Sequence, residues 1–125
     1  MAGRRAARRT ALFLLYQWDL TGQPLEVLHE GEVDPFAREL AKAVAAESPE
    51  LDRRVDGAAE EWTIDRMGVV ERNVLRIGTY ELQHDTVPPE VAISEAVKLA
   101  KRYASEEAAR LVNGILGRIA REKVA

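Results

Sequence analysis

Apolar residues recur along this chain at intervals of three and four, the spacing of one face of an α-helix. The densest run lies between Glu71 and Ile119. From Val69 to about His84, Val70, Val74, Ile77 and Gly78 share a face, widened by Leu75 and Leu82. A step of about 100° per residue puts Glu81 inside that apolar arc and Glu71 at its edge. Asp85 to Pro89 reads as a loop, and Pro89 can open the next helix, with Ala92, Ile93, Ala96, Leu99, Ala100 and Tyr103 as its stripe. Ser105 caps a last helix whose core face is Ala108, Leu111, Val112, Ile115 and Ile119. Glu106 and Glu107 suit its positive end, and Arg118, Arg121 and Lys123 its negative end.

Upstream, a first helix is predicted to start between Gly3 and Ala6 and to run to about Leu20, with Gly22 as its stop. Ala7, Ala11, Leu14, Leu15 and Trp18 make one face; Phe13, Tyr16 and Leu20 make a second. So wide an arc predicts either a central helix or a face that meets another chain. Residues 23–34 are irregular or hold one short helix, Pro24 to His29. Asp34-Pro35 and Ser48-Pro49-Glu50 each carry a helix-start signal. They predict two helices, one with Phe36, Leu40, Ala43 and Val44 on a face, the other with Leu51, Val55, Ala58 and Ala59 and an end near Glu61. Trp62-Thr63 is a break, where Thr63 could cap a short turn, and Gly68 is the next interruption. No stretch alternates with period two. The expectation is an all-α fold, one domain over residues 1–125, built as a compact bundle of about six or seven helices in two packed sub-bundles.

With 125 residues, 46% apolar and 31% charged, the chain has the balance of a folded domain. It has no cysteine, which excludes disulfides and thiolate metal sites. No apolar run approaches the roughly 20 residues of a membrane span, and no signal peptide is read, so the expected compartment is the cytoplasm. Net charge is −3, yet residues 1–10 hold Arg4, Arg5, Arg8 and Arg9 and no acid, and the rest of the chain carries 14 basic and 21 acidic side chains. An acidic body with a basic end can still hold a polyanion locally, because screening limits each charge to a reach of about 10 Å.

Candidate chemistry is sparse. No phosphate-binding glycine loop is present. His29 and His84 lie far apart and have no metal-ligand spacing, so no metal or cofactor is expected. Glu71 and Glu81 are roughly 15 Å apart along one helix, too far for a paired acid–base site. No enzyme is expected. The four arginines fall into two pairs four residues apart, a fork-shaped set suited to phosphate, or else a solubilising terminus. Glu81 in an apolar arc needs a partner, and a structural carboxylate beside an arginine is the expected form. Asn113-Gly114 in mid-helix points to close helix packing. Tyr16 and Tyr103 are core aromatics or platforms on which single-stranded bases stack.

Four segments, RRAARRTALFLLYQWDL, ERNVLRIGTYEL, PPEVAISEAVKLAKRYASEE and LVNGILGRIA, together resemble the NusB family of bacterial transcription antitermination factors. The segments span nearly the whole chain in order. Ser94 and Gly117 depart from the usual pattern, which often has Asn and an acidic residue there. The resemblance implies two packed helical bundles and binding of the boxA element of nascent RNA, jointly with the small-subunit ribosomal protein NusE. That assembly joins an RNA polymerase elongation complex with other Nus factors and suppresses premature, Rho-dependent termination, notably in ribosomal RNA operons. By the family pattern Arg4, Arg5, Arg8, Tyr103, Glu107 and Leu111 would face RNA, and Arg9, Lys101 and Arg102 join them on charge. Tyr16 and Glu71 would face NusE, since an acidic contact suits a basic ribosomal protein. Some family members form homodimers through the first helix. The domain also resembles the N-terminal RNA-binding part of some ribosomal RNA cytosine methyltransferases, but with no strand–helix cofactor segment read in these residues, an enzyme of that type is not expected. A purely protein-binding helical module is the third reading.

Overall fold

The computed structural model describes residues 4–27, 33–60 and 63–124. Its helices are α1 (Arg4–Thr21), α2 (Pro35–Ala58), α3 (Val69–His84), α4 (Pro89–Tyr103) and α5 (Glu106–Val124), with single 3-10 turns at Leu25–Val27 and Ile64–Arg66. Among the described residues there is no strand, so the all-α class holds. Among the described residues the α-helices number five, not six or seven. His29 and Trp62, named in the sequence reading, lie outside the described residues.

The missing boundary is at Pro49, which sits inside α2. An interior proline removes a hydrogen bond and costs about 3 kcal/mol. Here the two halves stay in phase: Ala37, Ala41, Val44, Leu51, Val55 and Ala58 are all buried on one side. Burial of that continuous stripe, at about 1.5–3 kcal/mol for each large side chain, outweighs the local penalty. Asp34 does cap α2, its side chain accepting from Phe36 N at 2.9 Å. Ser105 likewise accepts from Ala108 N at 2.9 Å. α3 stops at Asp85, which is left-handed at φ 52°. Lys123 reaches back from α5 to donate to the Leu82 carbonyl and, at 2.8 Å, to Asp85, so it caps α3 rather than its own helix.

The central helix is α3, which packs against all four others, whereas α1 flanks it together with α2. α1–α2–α3 and α3–α4–α5 are thus two groups sharing one helix, with one continuous core that includes Leu12, Leu15, Val44, Leu51, Val74, Leu75, Val112 and Leu116. Close approach within the core occurs at Gly78, where a Cβ would lie 2.6 Å from Leu116 Cδ1. Gly114, expected to serve close packing, does not: a Cβ there meets nothing within 4 Å, and the residue is exposed.

α1 and α3 run antiparallel and are joined by charge near both ends. At one end Asp19 Oδ2 accepts from Arg72 Nε at 2.7 Å, Asn73 Nδ2 at 3.0 Å and Arg76 Nη1 at 3.0 Å. Arg76 also holds Asp52 of α2 through Nε and Nη2 at 2.8 and 2.9 Å. Burial opposes the Asp19 charge, but the donated bonds and the two guanidiniums outweigh it and keep its carboxyl below the usual range.

Two outcomes follow in unfolding experiments. Gly78→Ala, pressed against a fully buried leucine, should lose about 1–3 kcal/mol in a denaturant titration, whereas Gly114→Ala should gain up to about 1 kcal/mol. The Asp19 contribution is complete above its unfolded pKa and is lost as pH falls through the lower folded value. Asp19→Asn should therefore lower stability at neutral pH and flatten its fall on acidification below about pH 4.

Candidate nucleic-acid interface

The arginine cluster divides as soon as α1 is seated. Arg8 turns inward: its Nε and Nη2 donate to the two carboxylate oxygens of Glu81 at 2.8 and 2.9 Å. Their side chains are only 5% and 6% exposed. Glu81 is therefore the arginine-paired structural carboxylate, and Arg8 is corrected from an RNA-facing residue to the other half of a buried pair. The physical reason is that Glu81, inside the apolar arc of α3, needs a cation, and Arg8 lies one turn before the buried Ala11 and Leu12. Burial opposes the Arg8 charge, but the hydrogen bonds to Glu81, with Glu81 and Glu95 nearby, leave it more firmly protonated than usual.

Arg5 stays outside. Its Nε donates to Glu95 Oε1 at 2.8 Å, yet its side chain is 75% exposed against 9% for Glu95. Burial would raise the Glu95 carboxyl, but hydrogen bonds from Arg5 and Lys98 hold it below the usual range. Glu95 was missed in the sequence because it flanks the Ala92–Ala96–Leu99 stripe as one polar residue among several. Arg4 goes to the other side of α1, donating to the Thr86 carbonyl at 3.2 Å and lying 5.6 Å above the Phe36 ring. Arg9, half-buried, sits one turn from both Arg5 and Phe13.

α1 and α4 run in the same direction and meet through long side chains. Arg5 meets Glu95, and eight residues further along both helices Phe13 meets Tyr103 edge-on, with ring centroids 5.2 Å apart. The Arg102 guanidinium lies 5.4 Å from the Tyr103 ring, and Lys101 pairs loosely with Glu106 at 3.3 Å. The result is one ridge on which Arg5, Arg9 and Phe13 of α1 adjoin Lys98, Arg102 and Tyr103 of α4. Phe13 was read only as a second apolar face. Its placement one turn beyond Arg9 was the available signal.

Glu107 and Leu111 lie elsewhere, in an open groove of about 810 Å³ between α5 and the α2–α3 connection. Glu71 lines the same groove, so residues expected on an RNA face and on a partner face meet in one groove. Glu71 also accepts from Gly68 N at 3.1 Å, which stabilises the start of α3. Arg66, Arg110, Arg118 and Arg121 give the groove a basic side, and exposed Gly114 leaves its floor open. Tyr16 is exposed on α1 between Phe13 and Leu20, which are also exposed, so this second face of the helix is an outer surface. Among the described residues no group of three or more His, Asp or Glu has the arrangement of a metal site.

The sequence model of the NusB family matches residues 5–121. The chain belongs to the NusB family. A transcription antitermination protein NusB of Rubrobacter xylanophilus is 44% identical over 120 residues, covering 90% of this chain and 86% of that protein. The solved structure of NusB from T. maritima superposes with a TM-score of 0.85 at 35% identity, over 97% of this chain and 92% of the other. A crystal structure of antitermination factors NusB and NusE in complex with double-stranded RNA gives 0.80 at 33% identity, over 95% and 96%. Of the two departures from the NusB pattern, Ser94 is exposed, and Gly117 lies where a Cβ would be 3.4 Å from Arg121 Nη1. An acidic residue there would have faced that arginine.

Glu81→Ala strands a buried guanidinium and should cost about 3–5 kcal/mol in equilibrium unfolding. Arg5→Ala, at an exposed pair, should cost no more than about 1 kcal/mol.

Proposed function

We propose that this chain is a transcription antitermination factor that binds boxA RNA together with ribosomal protein NusE. In this reading the assembly joins the RNA polymerase elongation complex with the other Nus factors in the cytoplasm and suppresses Rho-dependent termination, notably in ribosomal RNA operons. The observation that carries the RNA part is the ridge, where guanidiniums alternate with the Phe13 and Tyr103 rings. Guanidiniums attract phosphate irrespective of sequence, and aromatic faces stack on unpaired bases. The NusB relative solved with NusE and double-stranded RNA supports the same pairing of partners.

The RNA surface comprises Arg4, Arg5, Arg9, Lys101, Arg102 and Tyr103, with Glu107 and Leu111 where it turns into the groove. Arg8 works from behind, holding α1 in place. The partner surface comprises Tyr16 and Glu71. Exposed Leu20 extends Tyr16 into an apolar stripe beside the ridge, the kind of surface that marks a protein contact. The mechanism is assembly of a ternary complex with no chemical step. The same stripe also suits a second copy of the chain, and a homodimer that continued from it over Phe13 would compete with RNA.

The test is binding of boxA RNA and a scrambled control at two salt concentrations, with and without NusE. The expected result is selective binding, strengthened by NusE, with a salt slope that Arg5→Ala plus Arg9→Ala reduces by about 2. Equal weak binding to both RNAs, with NusE still bound, would favour a protein-binding module instead.

A further inference from the structure

A second cavity, of about 260 Å³, opens between the start of α1, the start of α2 and the end of α3. It lies on the far side of Arg5 and away from the Phe13–Tyr103 ridge. Its walls are Phe36 and Leu40 of α2 and Tyr80 of α3, and its floor is the buried Arg8–Glu81 pair. Pockets for drug-sized ligands run to roughly 300–1,000 Å³, so this volume suits one planar ring system. Phe36 is 51% exposed although Ala37, Ala41 and Val44 of the same helix are fully buried. Tyr80 is held from behind by the His84 ring, centroids 4.4 Å apart. Burial, with Glu47 and Glu81 nearby, pushes the Tyr80 hydroxyl up, so it remains a donor.

The mouth is already bridged by a π-bound cation. Arg4 lies 5.6 Å over the Phe36 ring and donates to the Thr86 carbonyl at 3.2 Å across the opening. A cation–π contact at an exposed ring is worth only about 0.5–1 kcal/mol, whereas a base stacked on an aromatic side chain is worth about 1–3 kcal/mol. A carboxylate offers about four lone-pair sites, and Glu81 receives two bonds from Arg8 and a long one of 3.4 Å from Thr86 Oγ1. A base edge carrying an N–H donor therefore has an acceptor at the floor. Glu39 on the rim repels phosphate, so the backbone would pass on the Arg4 side.

We propose that this pocket receives one unstacked base of the bound RNA strand, which displaces the Arg4 guanidinium from Phe36 and sends it to the adjoining phosphate. The inference rests on the RNA-binding reading above and adds a base-reading site to it. The pocket is a place where sequence preference can arise, because its polar floor is buried and its walls are flat.

The experiment uses the full chain with NusE and a boxA RNA carrying one abasic position at a time. In the wild-type protein one position should be especially sensitive. Phe36→Leu should weaken binding of the intact RNA about tenfold and abolish the sensitivity at that position alone. Ala43→Leu, which fills the pocket from α2 and leaves Phe36 in place, should give the same pattern. Wild-type affinity in both variants, or a loss that is equal at every abasic position, would overturn the inference while leaving antitermination intact. Failure of the wild-type protein to prefer boxA RNA over its scramble would overturn the RNA reading and this site with it.

Discussion

The buried ion pair between Arg8 and Glu81 fixes how α1 lies on α3, and the functional surfaces depend on that seating. A carboxylate placed inside the apolar arc of the central helix is tolerable only if a cation reaches it, and the bidentate geometry at 2.8 and 2.9 Å satisfies both partners. The Asp19 cluster at the opposite end of α1 adds a second anchor, so the helix can neither slide nor rotate about one contact. With Arg8 turned in, Arg4 and Arg5 flank it, Arg4 toward Phe36 of α2 and Arg5 toward Glu95 of α4, and Phe13, Tyr16 and Leu20 face out.

This seating explains why a chain of net charge −3 can attract RNA. Acidic residues near the arginines are used internally: Glu81 is consumed by Arg8, and Glu95 is shared by Arg5, Arg8 and Lys98. What reaches solvent on the ridge is guanidinium and ring. The groove beside α5 is different in character, with Glu71 and Glu107 among four arginines. Mixed charge of that kind suits a partner presenting both signs, and electrostatic complementarity there sets orientation more than affinity.

Much of the fold was legible in the sequence because helical periodicity is a local signal. The stripes of α3, α4 and α5, the Asp34 and Ser105 caps and the all-α class follow from spacing and cap chemistry. Pro49 misled because its local start signal competes with a stripe that is only seen to be in phase once both halves pack on the same core. Gly114 misled for the converse reason: a glycine in mid-helix announces that a side chain is absent, not what lies opposite. The site was partly legible. Arginine spacing indicated the basic end, but which arginine turns inward depends on Glu81, far along the chain. The pairing of Phe13 with Tyr103 and of Glu71 with the Glu107 groove are likewise tertiary facts.

The most direct measurement is the salt dependence of boxA RNA binding by the double variant Arg8→Met with Glu81→Leu. Replacing a buried ion pair by apolar residues of similar volume keeps the helix seated, so the account predicts a folded protein whose salt slope equals that of the wild type. A slope reduced by about one, the signature of a lost phosphate contact, would show that Arg8 reaches RNA directly and would contradict the division of the arginines described here.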